Sequence, residues 1–194
     1  MEYFQNSILI GIAGGSGSGK TTFCNKLASS LKGANVKAIS TDHYFHKVKP
    51  KANAPYNGRL YDDYDHPTSV DIVRLCNDIK EVCSSQKYNV VIIEGLMVLY
   101  FEEIRKQLDL KVFIDCPSDE RLVRRLKRDI SEETFDEITS EYLDLVRHRY
   151  NEFIEPTKWF ADVIINGSNP SHKSIDVVRK WVLNEANTFP IKSG

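Results

Sequence analysis

The sequence predicts an α/β fold built around a mainly parallel β-sheet. Short apolar runs alternate with segments of helical spacing along the chain, as in β-α-β units. Two of these runs, 8–13 and 90–93, are rich in β-branched residues, as expected of strands buried on both faces of a sheet. With 194 residues, 41% of them hydrophobic, the chain can bury a core without a metal or disulfide.

Local patterns then predict each element in order. After a first strand at 7–13 and a glycine-rich turn, Phe23, Leu27 and Leu31 share one face of a helix that runs from Lys20 to Leu31. The remaining elements are a strand at 36–40, an irregular loop at 41–68, a helix at 69–83, strands at 90–93 and 111–115, a basic helix from Pro117-Ser118 to 129, a long helix at 137–154, a strand at 162–165 and a helix at 173–186. Loops as long as 41–68 are usually functional or mobile.

Charge and hydropathy exclude several classes of protein. The 26 Lys and Arg residues against 27 Asp and Glu give a formal net charge of −1, so the chain has no bulk attraction to nucleic acid or an anionic membrane. No apolar run approaches the roughly 18 residues of a membrane span, and residues 1–7 lack the pattern of a signal peptide. We therefore expect a cytoplasmic protein with a single domain over residues 1–194.

The glycine-rich turn between the first strand and the first helix matches the motif G-x-x-x-x-G-K-[ST] in full. Its glycines let successive backbone N–H groups turn inward around phosphate oxygens, and the helix N-terminus adds the positive end of its dipole. Lys20 reaches the β- and γ-phosphates, and Thr21 offers a hydroxyl to Mg²⁺. The motif predicts a nucleoside triphosphate site formed by Gly14, Gly15, Ser16, Gly17, Ser18, Gly19, Lys20, Thr21 and Thr22.

Two acidic residues follow predicted strands, at the edge where an open parallel sheet binds its ligands. Glu94 ends the strand at 90–93, where a second acid facing the metal is expected, and Gly95 would let the phosphates approach closely. Asp42 follows the strand at 36–40, where an acid can accept the proton of an attacking hydroxyl. The alternatives are an exposed strand end for Glu94 and an N-cap or turn residue for Asp42.

A basic cluster occupies the helix after the fourth strand, and consists of Arg121, Arg124, Arg125, Lys127 and Arg128. Spacings of three, four and seven place the arginines on a shared face. In a kinase, such a face supplies planar guanidinium groups to the transferred phosphoryl group and the substrate. A solvated basic surface is equally compatible with this spacing.

The end of the long loop concentrates acids and aromatics in the stretch Tyr61-Asp62-Asp63-Tyr64-Asp65-His66-Pro67. An Asp beside an aromatic side chain can bind a ribose diol while the aromatic stacks on a ring. A surface turn accounts for the stretch equally well. His66 taken alone is more often a structural hydrogen-bonding residue than a general base.

Together these segments resemble the uridine kinase branch of the phosphoribulokinase/uridine kinase family. The matching stretches cover most of the chain, with gaps: IGIAGGSGSGKTT at 10–22, STD at 40–42, YDHP at 64–67, IEG at 93–95, RRLKRDI at 124–130, FIEPTK at 153–158 and ADVII at 161–165. The phosphate loop is shared by thousands of proteins, whereas the Asp-His-Pro and Ile-Glu-Pro-Thr-Lys stretches are far more specific.

The resemblance implies a P-loop fold with a five-stranded parallel sheet, a small helical lid near 129–140 and an acceptor-binding loop near 42–68. It implies phosphorylation of a nucleoside 5′-hydroxyl, most consistent with uridine or cytidine, by ATP with Mg²⁺; homo-oligomers are left open. The residues it marks are Asp42 as catalytic base, with Lys20, Arg125 and Arg128 in catalysis, Asp65 as ribose-diol ligand beside Tyr64 and His66, and Thr21 and Glu94 on the Mg²⁺ side.

Two features depart from the uridine kinase pattern. Uridine kinases carry a pyrimidine-recognising β-hairpin between the helix after His-Pro and the Glu-Gly strand, and the interval 81–89 is too short for one. The Arg-Gly-Arg of their lid is replaced by Glu133-Thr134-Phe135. Nicotinamide riboside kinases, which lack that hairpin and place a Tyr-Asp pair in the corresponding loop, are therefore the second interpretation.

A regulatory P-loop NTPase is an interpretation from a different class. Switch GTPases generally recognise guanine through Asn-Lys-x-Asp, which this chain lacks. Asp42 and the arginine-rich helix favour a kinase, because they would serve an acceptor substrate. The intact Lys20, Thr21, Asp42 and Glu94 disfavour a catalytically inactive binding module.

Overall fold

The fold is a five-stranded parallel sheet flanked by helices, as predicted. The computed structural model describes residues 7–169 and 171–188. The absence of a signal peptide was expected from residues 1–7, and of these the structure describes only residue 7. The strands of the sheet are β1 (Ile8–Gly14), β2 (Val36–Ser40), β5 (Val90–Glu94), β6 (Leu110–Asp115) and β7 (Val163–Asn166). Their order across the sheet is β2-β5-β1-β6-β7, and each neighbouring pair is parallel.

The helices around the sheet are α1 (Lys20–Ser30), α2 (Ile72–Ser84), α3 (Glu102–Arg105), α4 (Ser118–Asp129), α5 (Phe135–Glu141), α6 (Arg147–Arg149) and α7 (His172–Thr188). The single long helix predicted at 137–154 is a continuous helical segment, but two π-helical turns, Tyr142–Val146 and Tyr150–Ile154, interrupt its α-helical geometry. The helix predicted from 69 starts at Ile72, because Asp71 caps it through a 3.0 Å hydrogen bond from the backbone of Arg74. No helix in the described ranges is long and apolar enough to cross a membrane.

The core lies on both faces of the sheet because successive side chains of a strand point in opposite directions. In β1, Leu9 and Ala13 join the cluster that packs against α2, while Ile8, Ile10 and Ile12 join the cluster that packs against α1 and α7. All five side chains are at most 5% exposed. This two-sided burial holds the carboxyl end of β1, where the glycine-rich turn begins, in the middle of the molecule.

The segment predicted as an irregular loop contains a β-hairpin, so that prediction was wrong for its central part. Strands β3 (Lys51–Asn53) and β4 (Leu60–Asp62) pair in antiparallel orientation, and Gly58 in their turn has a φ of 70°. Asn57 and Tyr61 both donate hydrogen bonds to Asp144, at 2.7 and 2.8 Å. The hairpin is thereby fastened to the helical segment that follows α5. Between α2 and β5 only residues 85–89 remain, and they contain no strand.

Candidate active site

The glycine-rich turn forms a phosphate-binding loop between β1 and α1. Gly17 has a φ of 79°, and a Cβ atom there would lie 2.6 Å from the carbonyl oxygen of Arg121, so both backbone conformation and space require glycine. The Ser18 N–H donates to the Gly15 carbonyl at 3.0 Å, which closes the turn. The phosphate-binding loop lies directly before the first turn of α1. Its backbone N–H groups and the positive end of the helix dipole can therefore both stabilise an anion bound there.

Lys20 lies at the centre of the site and is only 9% exposed. Its Nζ donates to the Gly15 carbonyl at 3.1 Å. Burial lowers the pKa of Lys20, and the negative charges of Glu94, Asp42 and Asp65 oppose that shift. The lysine is thus the cation toward which all three predicted acids converge.

Thr21 and Glu94 form the predicted metal-side pair. Thr21 Oγ1 lies 3.3 Å from both carboxylate oxygens of Glu94, which is 5% exposed. These are the hard oxygen donors that Mg²⁺ prefers. A Cβ atom on Gly95 would lie 1.8 Å from Thr41 Oγ1, so the glycine makes room for Thr41. That Gly95 also lets the phosphates approach closely stays a prediction.

A cavity of about 540 Å³ lies between the phosphate loop, the segment at 42–68 and α4. Its walls contain most of the side chains predicted for the site, namely Lys20, Thr21, Thr22, Asp42, Tyr64, Asp65, Glu94, Arg125 and Arg128. Further lining residues that the sequence did not single out are Phe45, Leu96, Asp129, Glu133 and Glu141. Asp42 is exposed to this cavity, from the 3₁₀ turn Thr41–Tyr44 that directly follows β2.

Asp65 is buried at the acceptor end of the cavity, with 6% exposure. Burial raises the pKa of Asp65 to about 6, Arg125 counteracts the shift, and Glu141 and Asp63 reinforce it. The backbone beside it is fixed, since Ser69 Oγ donates to the Tyr64 carbonyl at 2.9 Å. The cavity thus contains a buried carboxyl with an elevated pKa.

An aromatic pair borders this end of the cavity. The rings of Phe45 and Tyr64 meet edge to face at 5.5 Å, and Lys49 Nζ lies 5.0 Å from the centre of the Tyr64 ring. Tyr64 is 44% exposed, so part of this side chain remains accessible. This is a suitable surface for a planar group of an acceptor to stack on.

The arginines of α4 do not all have the same surroundings. Arg124, Arg125 and Arg128 line the cavity. Arg125 pairs with Glu141 at 2.8 Å, and Arg128 contacts Asp129 at 2.5 and 2.9 Å. Arg124 donates to the carbonyl of Gly167 at 2.9 Å and more weakly to carbonyls of the phosphate loop. Arg121 is buried behind that loop. Packing against the loop therefore divides a cluster that helical spacing alone would keep together.

His66 is not among the residues that line the cavity. Its Nδ1 lies 2.8 Å from Thr68 Oγ1 and accepts a hydrogen bond from the Thr68 backbone, so it caps the 3₁₀ turn Pro67–Ser69. Its ring meets Phe153 edge to face at 5.1 Å. The structure therefore gives His66 the local hydrogen-bonding role and not contact with the cavity.

A second, smaller cavity of about 230 Å³ lies on the other side of the phosphate loop. Thr22, Phe23, Arg124, Ile165 and Ile175 contribute to its walls, which also include Gly167. No sequence pattern above predicts this cavity. The signal was present, since Gly167 directly follows the last strand at the ligand-binding edge of the sheet.

The parallel sheet, the phosphate loop and a cavity lined by acids and arginines define a P-loop protein of the kinase type. The chain belongs to the phosphoribulokinase/uridine kinase family, whose model matches residues 9–88 and 62–172. It is 34% identical to a uridine kinase of Anoxybacillus flavithermus and 32% identical to one of Bacillus subtilis, in each case over 90% of this chain and 92% of the relative.

Solved structures support the fold. A possible uridine kinase from Bacillus stearothermophilus superimposes with a TM-score of 0.51 at 21% identity, covering 82% of this chain and 88% of that one. A putative fructose transport system kinase from a Silicibacter species superimposes with a TM-score of 0.57 at 16% identity, covering 82% and 89%. The α/β fold is shared with both of these structures.

Proposed function

We propose that the chain is an ATP-dependent nucleoside kinase that transfers the γ-phosphate to the 5′-hydroxyl of a ribonucleoside, uridine or cytidine. The observation that carries this proposal is the single cavity that holds the phosphate loop, Asp42 and Asp65 together. A triphosphate at the loop and an acceptor at Asp65 would meet beside Asp42. The family membership and the uridine kinase relatives support the same reaction.

In this proposal Asp42 accepts the proton of the acceptor 5′-hydroxyl as its oxygen attacks the γ-phosphorus. The bond from the γ-phosphorus to the β–γ bridging oxygen breaks, and ADP leaves. Lys20 compensates the charge on the transferred group from one side, and Arg125 and Arg128 do so from α4. Both arginines are bonded to acids, Glu141 and Asp129, so they are held at the cavity wall before any phosphate is present.

Thr21 and Glu94 would hold Mg²⁺ together with phosphate oxygens. Within the described ranges there is no group of three or more His, Cys, Asp or Glu residues arranged as a metal cage. A small number of protein ligands suits Mg²⁺, because this ion usually keeps several waters and takes one or two protein oxygens beside the phosphates. When bound, the ion neutralises charge on the β- and γ-phosphates.

The smaller cavity is suited to the base of the nucleotide donor. Its walls are mainly apolar, and the larger side chains that line it are Phe23, Lys26, Ile114, Arg124, Ile165 and Ile175. A flat heteroaromatic group there would extend from phosphates bound at the loop. In this arrangement the chain acts as one domain, with a lid near 129–140 and an acceptor loop near 42–68.

A nicotinamide riboside kinase-like activity is the second candidate. Two observations favour it: residues 85–89 leave no hairpin between α2 and β5, and Tyr64 offers a partly accessible side chain beside Asp65. In both candidates the donor chemistry is the same, and only the acceptor base differs.

The test is an acceptor screen with purified protein, ATP and Mg²⁺, in which phosphate transfer to uridine, cytidine, adenosine, guanosine and nicotinamide riboside is measured separately. Transfer to a pyrimidine nucleoside at the highest kcat/KM supports the proposal, and a preference for nicotinamide riboside selects the second candidate. ATP hydrolysis that no acceptor stimulates would reject both and favour a regulatory NTPase.

A further inference from the structure

Arg121 is a buried cation directly behind the phosphate loop. It is 2% exposed, and a Cβ atom on Gly15 would lie 2.6 Å from its Nη1. On the cavity side of the same glycine, Lys20 Nζ donates to the Gly15 carbonyl at 3.1 Å. Gly15 therefore lies between two buried cations, one facing the cavity and one behind it.

Lys20 and Arg121 differ in the negative charges that balance their positive charge. Three carboxylates act on Lys20, whereas Arg121 takes part in none of the ion pairs that the arginines of α4 form in the described part of the chain. Its Nε donates to the Cys116 carbonyl at 3.0 Å, and its guanidinium lies 3.7 Å from the centre of the Tyr150 ring. Among residues 7–169 and 171–188, its Nη1 has no hydrogen-bond partner.

The charge of Arg121 helps to lower the pKa of Glu155, but this carboxylate is already engaged by other groups. Glu155 accepts hydrogen bonds from Tyr150 and Lys158, and the ring of Tyr150 lies against Arg121. A buried charge without a close counter-charge costs free energy of folding. Such a cost is retained where the missing counter-charge arrives with a ligand.

We propose that the triphosphate of the donor is the counter-charge of Arg121, which makes Arg121 a positioning residue that stabilises bound phosphates through the loop at Gly15. The proposal rests on the proposed function only in requiring a nucleotide at this loop. Charges in a protein interior are screened less than in water, so a cation packed against the loop at Gly15 still acts on phosphates bound there. Attraction of this kind grows with the number of phosphates.

The test compares Arg121→Lys, which keeps the charge, with Arg121→Gln, which keeps N–H donors and removes it. Calorimetric Kd values for ATP, ADP and AMP are measured with the full chain, together with the thermal midpoint of the nucleotide-free protein. We expect Arg121→Gln to weaken ATP about tenfold or more, ADP less and AMP by about threefold or less, without lowering the midpoint. Arg121→Lys should stay within about threefold of wild type for all three nucleotides.

Tyr150→Phe is the matched control, because it keeps the ring beneath Arg121 and removes only the hydroxyl that reaches Glu155. It should leave the three nucleotide affinities unchanged. If Arg121→Gln leaves ATP affinity unchanged, weakens all three nucleotides equally, or unfolds at a clearly lower temperature, Arg121 is a framework residue and the inference is wrong. A wild-type chain that binds none of the nucleotides would instead overturn the proposed function, and this inference with it.

Discussion

Arg149 Nε donates a hydrogen bond to Asp63 Oδ2 at 2.8 Å, and this ion pair joins the acceptor loop to the helical segment that follows α5. The Asp63 side chain is 1% exposed, and its other carboxylate oxygen has no hydrogen-bond partner in the described part of the chain. Asp63 stands two residues before Asp65. The pair therefore fixes the backbone from which the buried acid of the acceptor site extends.

Removing Arg149 should leave Asp63 as an unpaired buried carboxylate. We expect Arg149→Met to lower the free energy of unfolding by about 3 kcal/mol, the typical cost of breaking a buried ion pair from one side. Denaturant unfolding monitored by circular dichroism measures the change. Adding Asp63→Asn to Arg149→Met should recover much of the loss, because no charge then remains buried.

Arg147→Met is the control for this prediction, since Arg147 is exposed on the same helical segment. It should unfold as wild type does. Equal unfolding midpoints for the wild type and Arg149→Met would show that the pair contributes nothing to the fold.

Lys20→Ala should nearly abolish phosphate transfer. The developing charge on the γ-phosphate would lose its main protein cation in a site that is largely shielded from water. Comparable electrostatic donors are worth roughly 10²–10³ in rate. Steady-state kcat measures the effect, and Lys32→Ala, at an exposed lysine just after α1, is the control. A Lys20→Ala rate within about threefold of wild type contradicts the assigned role.

Asp42→Asn tests the proton acceptor. Because the side chain keeps its shape and stays exposed to the cavity, ATP affinity should be unchanged. The rate of transfer should fall by roughly 10²–10⁴, the range typical of general base catalysis. Single-turnover transfer and calorimetric ATP binding separate the two effects. Lost ATP binding with normal transfer from bound ATP would make Asp42 a metal or structural residue.

The parts of the fold and site that were predictable are those fixed by local sequence. Apolar runs rich in β-branched residues determine β1 and β5, and G-x-x-x-x-G-K-T between a strand and a helix determines the phosphate loop. Glu94 and Asp42 could be placed together because the carboxyl ends of parallel strands meet at one edge of the sheet.

The hairpin escaped prediction because its strands are three residues long and lack alternating apolar side chains. Asn57-Gly58 was the available signal, since this dipeptide favours tight hairpin turns. Contacts between side chains that are far apart in the sequence leave no local sequence pattern from which they could be predicted. The contact of Arg121 with Gly15, the pair of Arg149 with Asp63 and the π-helical turns all depend on tertiary packing, which periodicity does not record.

Acceptor recognition by Asp65 should show as a preference for ribonucleosides. One carboxylate can accept hydrogen bonds from both hydroxyls of a vicinal diol, and a 2′-deoxy acceptor leaves a buried oxygen unmatched at about 1–3 kcal/mol. The ratio of kcat/KM for ribo- over 2′-deoxyribo-acceptors should be roughly tenfold or more, and Asp65→Ala should remove most of it. Equal use of both acceptors by the wild type would reject the diol assignment.

Tyr64→Ala separates stacking from diol binding. Loss of the ring face should chiefly raise the acceptor KM, with the ribose preference retained because Asp65 is still present. The same acceptor pairs, assayed with this variant, provide the measurement. A Tyr64→Ala protein with wild-type acceptor KM would indicate that the aromatic stretch is a surface turn.

The ionisation of Asp65 predicts a pH dependence of acceptor use. Burial raises the pKa of Asp65 from its ordinary 3.8 to about 6, and the diol requires the carboxylate. The acceptor kcat/KM should therefore rise as pH increases through about 6, with Asp65→Asn lacking that inflection.

The stability of the folded chain should change in the opposite sense. The folded state favours the protonated form of Asp65, so this contribution to stability is full at low pH and is lost as pH rises from 3.8 through about 6. Above that range, Asp65→Asn should unfold at a higher temperature than the wild type, although it uses the acceptor less well. If the wild type instead has the higher thermal midpoint, ionisation of Asp65 does not destabilise the fold.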